Sequence, residues 1–129
     1  MTERKRTFLV VDDDLVALEV ARERLERAGF EVVTRESALG TSVFIMKEKP
    51  DFVLLDVNMP GLTGDALAKL LTGRGPQSRV ILHSCSDPRR LATLARQCGA
   101  AGVIEKTADE RRFRAQLEAF VGTLAVVDE

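Results

Sequence analysis

The sequence predicts an α/β protein of the (βα)5 class, a doubly wound five-stranded parallel sheet layered between helices. Three observations carry that expectation. Short apolar runs recur about two dozen residues apart along the 129-residue chain. Most of them are continuous rather than alternating, which suits strands covered on both faces. Helix-patterned segments lie between them, and right-handed crossovers then place helices on both sides of the sheet.

The first strand is the run Phe8, Leu9, Val10, Val11. A helix follows, with Leu18, Ala21, Leu25 and Ala28 on one face, Arg22, Glu23, Glu26 and Arg27 on the other, and Gly29 as its stop. Val32 and Val33 mark the second strand, and a weaker helix is expected over 36–47 despite Gly40. Phe52, Val53, Leu54 and Leu55 form the third strand, with a second weak helix over 65–72. Val80, Ile81 and Leu82 form the fourth. Asp87-Pro88 then reads as a cap and N1 proline, opening a helix with Leu91, Leu94, Ala95 and Cys98 inward and Gly99 at its end. Gly102, Val103 and Ile104 make the fifth strand. The last helix carries Phe113, Leu117, Phe120, Val121 and Leu124 on one stripe. One domain over 1–129 accounts for the pattern, with the tail 125–129 left outside any element.

Composition excludes several functions. Nineteen Lys and Arg against twenty Asp and Glu leave a formal charge of −1, without the basic excess that phosphate neutralisation requires. Aromatic residues are 5%, with no Trp or Tyr, so a base-stacking surface is not expected either. No direct nucleic-acid partner is therefore predicted. No apolar run approaches the roughly 20 residues of a membrane span, and the one after the basic N-terminus is too short for a secretory leader. A cytoplasmic protein with no membrane partner is the expectation. Cys85 and Cys98 fit no metal spacing or disulfide framework and read as reduced thiols.

In a parallel α/β sheet, ligands bind beyond the C-terminal ends of the strands. The first strand ends in Asp12, Asp13 and Asp14, and the third in Asp56, followed by Val57, Asn58, Met59 and Pro60. The fourth ends in His83, Ser84, Cys85 and Ser86, and the fifth in Glu105, Lys106 and Thr107. Gathered carboxylates repel one another unless a cation joins them. Mg2+ accepts one or two carboxylates and a carbonyl while keeping waters and room for phosphate. A lysine and a hydroxyl can hold phosphoryl oxygens, and a carboxylate can be the nucleophile that becomes an aspartyl-phosphate. The parts for phosphoryl transfer onto an aspartate are present.

The segments Phe8-Leu-Val-Val-Asp-Asp-Asp14, Asp51-Phe-Val-Leu-Leu-Asp-Val-Asn-Met-Pro-Gly61, Val80-Ile-Leu-His-Ser84 and Gly99-Ala-Ala-Gly-Val-Ile-Glu-Lys106 resemble the receiver domain of two-component response regulators. The likeness covers nearly the whole chain, in the family's order. It implies a flavodoxin-like, CheY-like α/β/α sandwich and a phosphorelay switch that acts by changing conformation. By position, it implies that Asp56 accepts the phosphoryl group, with Ser84 as the switch hydroxyl and Lys106 as the phosphate-facing lysine. It implies Mg2+ held by Asp12, Asp13, Asp56 and the Asn58 backbone carbonyl. The implied partners are a histidine kinase or phosphotransfer protein, a downstream protein target, and a second copy through the last strand and its flanking helices. The domain would catalyse its own phosphorylation and dephosphorylation without being a metabolic enzyme.

Two positions depart from the family pattern: Thr107 stands where proline is usual, and Val103 where an aromatic ring is common. The resemblance therefore does not carry over an aromatic flip on the fifth strand. Plainer roles are expected elsewhere: Asp14 as a helix cap, His83 as a packing or surface residue, Cys85 as a structural thiol, and Arg111, Arg112 and Arg114 as a solvated face. The rival enzyme reading, an aspartate-nucleophile phosphohydrolase of the haloacid-dehalogenase type, would need a second acid where Asn58 stands. The other rival is a degenerate receiver that only binds proteins.

Overall fold

Strands β1 (Thr7–Val11), β2 (Glu31–Arg35), β3 (Phe52–Asp56), β4 (Arg79–Ser84) and β5 (Gly102–Glu105) form one parallel sheet, ordered β2-β1-β3-β4-β5. These coordinates are a computed structural model that describes residues 5–59 and 78–124. Among the described residues the helices are α1 (Leu15–Arg27), α2 (Thr41–Glu48), α3 (Pro88–Cys98) and α4 (Glu110–Val121). The helix expected over 65–72 lies outside the described residues, as does the tail 125–129.

Side chains alternate between the two faces of a strand, and two cores result. Phe8 and Val10 of β1, Phe52 and Leu54 of β3, Ile81 and Ile104 pack under α1 and α4, meeting Leu18, Ala21, Leu25, Phe113, Leu117 and Val121. Leu9, Val11, Val53, Leu55, Val80 and Leu82 face the other way, against Ile45 of α2 and Ala95 of α3. Every residue of β3 is buried, as continuous apolar runs predict. The edge strands differ. β2 is half-exposed, because among the described residues it is an edge strand of the sheet, and Val33 is open to solvent.

Local chemistry sets the helix ends. Asp14 caps α1 by accepting from the Val16 and Ala17 amides, and Gly29 follows the helix at φ +99°. Asp87 accepts from the Arg89 amide and Pro88 occupies the first turn of α3. The expected second helix is corrected at its start. Gly40 adopts φ +77°, a left-handed conformation that cannot continue a helix, so α2 begins at Thr41 rather than at position 36.

Candidate functional site

Register brings the acids together. β1 and β3 pair Phe8 with Phe52 and Val11 with Leu55, an offset that sets Asp12 beside Asp56 one step beyond the last pair. Asp12 continues the row of Phe8 and Val10, Asp56 that of Phe52 and Leu54, and Lys106 that of Ile104. All three therefore emerge on the α1 and α4 face at the C-terminal edge. Asp12, Asp13 and Asp56 each offer a carboxylate oxygen within 4.8 Å of the others. Asp12 and Asp56 are buried while Asp13 is exposed.

Each buried acid is held at one oxygen by a backbone amide and faces Lys106 with the other. Asp12 Oδ1 accepts from the Asp14 amide at 2.9 Å, and Asp56 Oδ1 accepts from the Asn58 amide at 3.0 Å. The Lys106 ammonium lies 2.8 Å from Asp12 Oδ2 and 3.5 Å from Asp56 Oδ2. The first contact is an ion pair off the angle of a hydrogen bond, and Asp12 Oδ2 finds no aligned donor among the described residues. Burial pushes the Asp56 carboxyl above its ordinary pKa. The Asn58 amide and Lys106 oppose that shift, while the like charge of Asp12 adds to it. Burial also works against the Lys106 charge, but Asp12 and Asp56 together outweigh it and hold the ammonium above its usual pKa.

The fit to a hard divalent cation is direct. Three carboxylates converge, one buried oxygen lacks an aligned donor, and the exposed Asp13 leaves space for waters. That is an all-oxygen donor set of the kind Mg2+ takes.

Ser84 ends β4 and is fully buried. Its hydroxyl accepts from Asn58 Nδ2 at 2.6 Å and from the Ser86 amide at 3.1 Å, and it pairs with Ser86 Oγ at 3.1 Å. Asn58 Nδ2 also reaches Ser86 Oγ at 3.2 Å. The family resemblance implies a role only for the backbone carbonyl of Asn58; the contacts of its side chain come from the structure. No local pattern could have found them, since 26 residues separate Asn58 from Ser84.

Of the two roles expected for His83, packing or surface, the structure shows packing. Its ring meets Phe113 edge-on at 6.0 Å between centroids, and burial lowers its pKa to about 3, with Lys106 and Arg24 also opposing protonation. Asp14 is the cap it was expected to be. Cys85 and Cys98 are free, and Cys85 is exposed rather than packed as a structural thiol. Arg111 and Arg112 are exposed, with Arg112 paired to Glu105 at 2.7 Å. Val103 is half-buried against the α2 and α3 core.

The chain is similar to known proteins in sequence and in fold. The family model described as "Response regulator receiver domain" matches residues 8–118. The response regulator GacA of Pseudomonas aeruginosa is 36% identical over 118 residues, covering 88% of this chain and 55% of that protein. The alkaline phosphatase synthesis regulator PhoP of Bacillus subtilis is 27% identical over 116 residues, covering 90% and 48%. The chain thus spans about half the length of these curated relatives. Among solved structures, the receiver domain of the putative response regulator NarL from Mycobacterium tuberculosis superposes with a TM-score of 0.77. It is 27% identical, and the match covers 94% of this chain and all of that one. The chemotaxis protein CheY4 of Vibrio cholerae superposes at 0.76 with 19% identity, covering 90% and 98%, a likeness of fold.

Proposed function

Because the chain belongs to the response regulator receiver domain family of two-component systems, we propose that Asp56 is its phosphoacceptor and that residues 1–129 act as one switch domain in the cytoplasm. The observation that carries this reading is the Asp56 carboxylate, buried at a strand end between two further aspartates and a lysine. An Asp56 oxygen attacks the phosphorus of a phosphohistidine on a histidine kinase or phosphotransfer protein. The P–N bond breaks, a P–O bond forms, and the departing imidazole takes up a proton. Asp12, Asp13, Asp56 and the Asn58 carbonyl would hold Mg2+, which when bound neutralises the carboxylates and the incoming phosphoryl oxygens. Lys106 supplies a fixed positive charge beside the acceptor oxygen, and Ser84 a hydroxyl that can turn toward the product.

The phosphorylated carboxyl carries about two negative charges where the free carboxylate carried one, and the hydroxyl and ammonium move to meet them. The same pocket supports transfer from small phosphodonors and later attack by water, so the domain catalyses its own loading and unloading. Its conformational change is read by a downstream protein target. A second copy docking through β5 and its flanking helices belongs to the same reading.

Beryllofluoride, a mimic of the bound phosphoryl group, tests the site. With Mg2+ present, 19F NMR should show a bound signal for the wild type and none for Asp56→Asn. A bound signal that survives in Asp56→Asn would contradict the assignment. The degenerate, purely protein-binding reading predicts no signal in either.

A further inference from the structure

Lys106 owes its position to a residue on a different element. Arg24, in the third turn of α1, donates from Nη1 to the Thr107 carbonyl at 2.8 Å and from Nη2 to the Ala108 carbonyl at 3.2 Å. Its guanidinium also lies over the Phe113 ring, 5.4 Å from the centroid. These are the two carbonyls of the residues that directly follow Lys106, so one planar fork takes both while it packs on a ring. On the other side, the Lys106 amide donates to the Ser84 carbonyl at 2.9 Å. The lysine is thus strung between β4 and α1. The same helix is tied at its start to the acidic pair, where the Asp14 amide donates to Asp12. α1 therefore sets the distance between Asp12 and the loop that carries the ammonium.

We propose that Arg24 is a positioning residue for phosphoryl transfer, holding the loop after β5 so that Lys106 stays in register with Asp56. This rests on the reading of Asp56 as phosphoacceptor. Arg24 bonds to neither Asp12 nor Asp56; it acts through the backbone that directly follows Lys106. Misplacing a charge by about an ångström in such a site costs on the order of 10–100-fold in rate. Arg27, which pairs with Glu110 at 2.6 Å on exposed surface, links α1 to the start of α4, and exposed pairs of this kind contribute little.

The experiment measures two quantities on the full chain: Mg2+ affinity by amide NMR shifts, and the rate of Asp56 phosphorylation by acetyl phosphate at saturating Mg2+. For Arg24→Ala the expected result is a rate about tenfold lower with Mg2+ affinity within twofold of wild type, a split that general loosening of the fold would not give. Arg24→Lys keeps a cation but not the fork, and should lose about threefold; it also serves if the alanine variant fails to fold. Arg27→Ala should match the wild type. A wild-type rate in Arg24→Ala or Arg24→Lys would overturn the proposal. So would rate and Mg2+ affinity falling together, or an equal loss in Arg27→Ala. A wild-type chain that takes no label at Asp56 would instead remove the underlying reading, and this proposal with it.

Discussion

Asn58 Nδ2 donates to Ser84 Oγ at 2.6 Å, so the hydroxyl expected to meet a phosphoryl group starts out bonded elsewhere. A serine hydroxyl has one proton to donate and two lone pairs. Here the lone pairs face Asn58 and the Ser86 amide, and the proton is paired with Ser86 Oγ. Ser84 must leave these partners before it can donate to a phosphoryl oxygen.

Loosening that cluster should therefore shift the resting ensemble toward the phosphorylated form. Asn58→Ala and Ser86→Ala each remove one bond to the Ser84 hydroxyl and, with it, the Asn58–Ser86 side-chain bond, at roughly 0.5–1.5 kcal/mol a bond, enough to change a minor population severalfold. The amide shifts of residues 84–91 in the unmodified variants should move part-way toward their positions in beryllofluoride-bound wild type. Val103, β-branched and without a ring to rotate, should leave β5 nearly still in both. Variant shifts that stay at resting wild-type values would refute the latch, and strong shifts on β5 with a quiet loop would refute the route.

Divalent metal should stabilise the fold through the acids at the strand ends. At a Mg2+ concentration about a hundred times its Kd, the gain is about 2.7 kcal/mol, which chelation removes. Asp13→Asn should weaken Mg2+ binding about tenfold and shrink that gain, because Asp13 supplies one of the three convergent carboxylates. Calorimetry with and without EDTA checks both. Equal thermal shifts in wild type and Asp13→Asn would exclude Asp13 as a ligand.

His83 gives the fold an acid sensitivity with a definite sign. Its folded pKa is lowered to about 3 from an ordinary 6.5, so the native state keeps the ring neutral. Below pH 6.5 the unfolded chain binds a proton that the native chain does not. The stability is present above pH 6.5 and falls as pH drops toward 3, at up to about 1.4 kcal/mol per unit. Urea unfolding of wild type and His83→Phe between pH 7 and pH 4 isolates this from the carboxylates, which both chains share. The variant should lose less stability over that interval, and parallel curves would show that His83 is protonated in the fold.

Gly102 tests packing on β5. An ideal Cβ at this position would stand 2.6 Å and 2.7 Å from two carbons of the Phe120 ring. Gly102→Ala should destabilise by about 1–3 kcal/mol, since the ring must leave the strand. In a Phe120→Ala background the same substitution should cost much less, and a double-mutant cycle measures the difference.

The strands were legible because Phe52, Val53, Leu54 and Leu55 form an unbroken apolar run, which only a doubly covered strand tolerates. The acids were legible because each follows such a run, and a strand end fixes where the next residue goes. Gly40 misled the second helix, since its left-handed backbone is decided locally but looks tolerable inside a helical pattern. Arg24 and the side chain of Asn58 left no trace in the sequence. Arg24 is one of several arginines on α1, and its carbonyl partners lie 83 and 84 residues away. Such contacts come from tertiary placement alone.

The central claim is that Asp56 alone receives the phosphoryl group, and mass spectrometry after incubation with acetyl phosphate and Mg2+ tests it most directly. The wild type should gain one phosphoryl group, mapped to Asp56 by peptide analysis and lost on removing Mg2+, and Asp56→Asn should gain none. Label that persists in Asp56→Asn, or that maps to His83, would contradict the account.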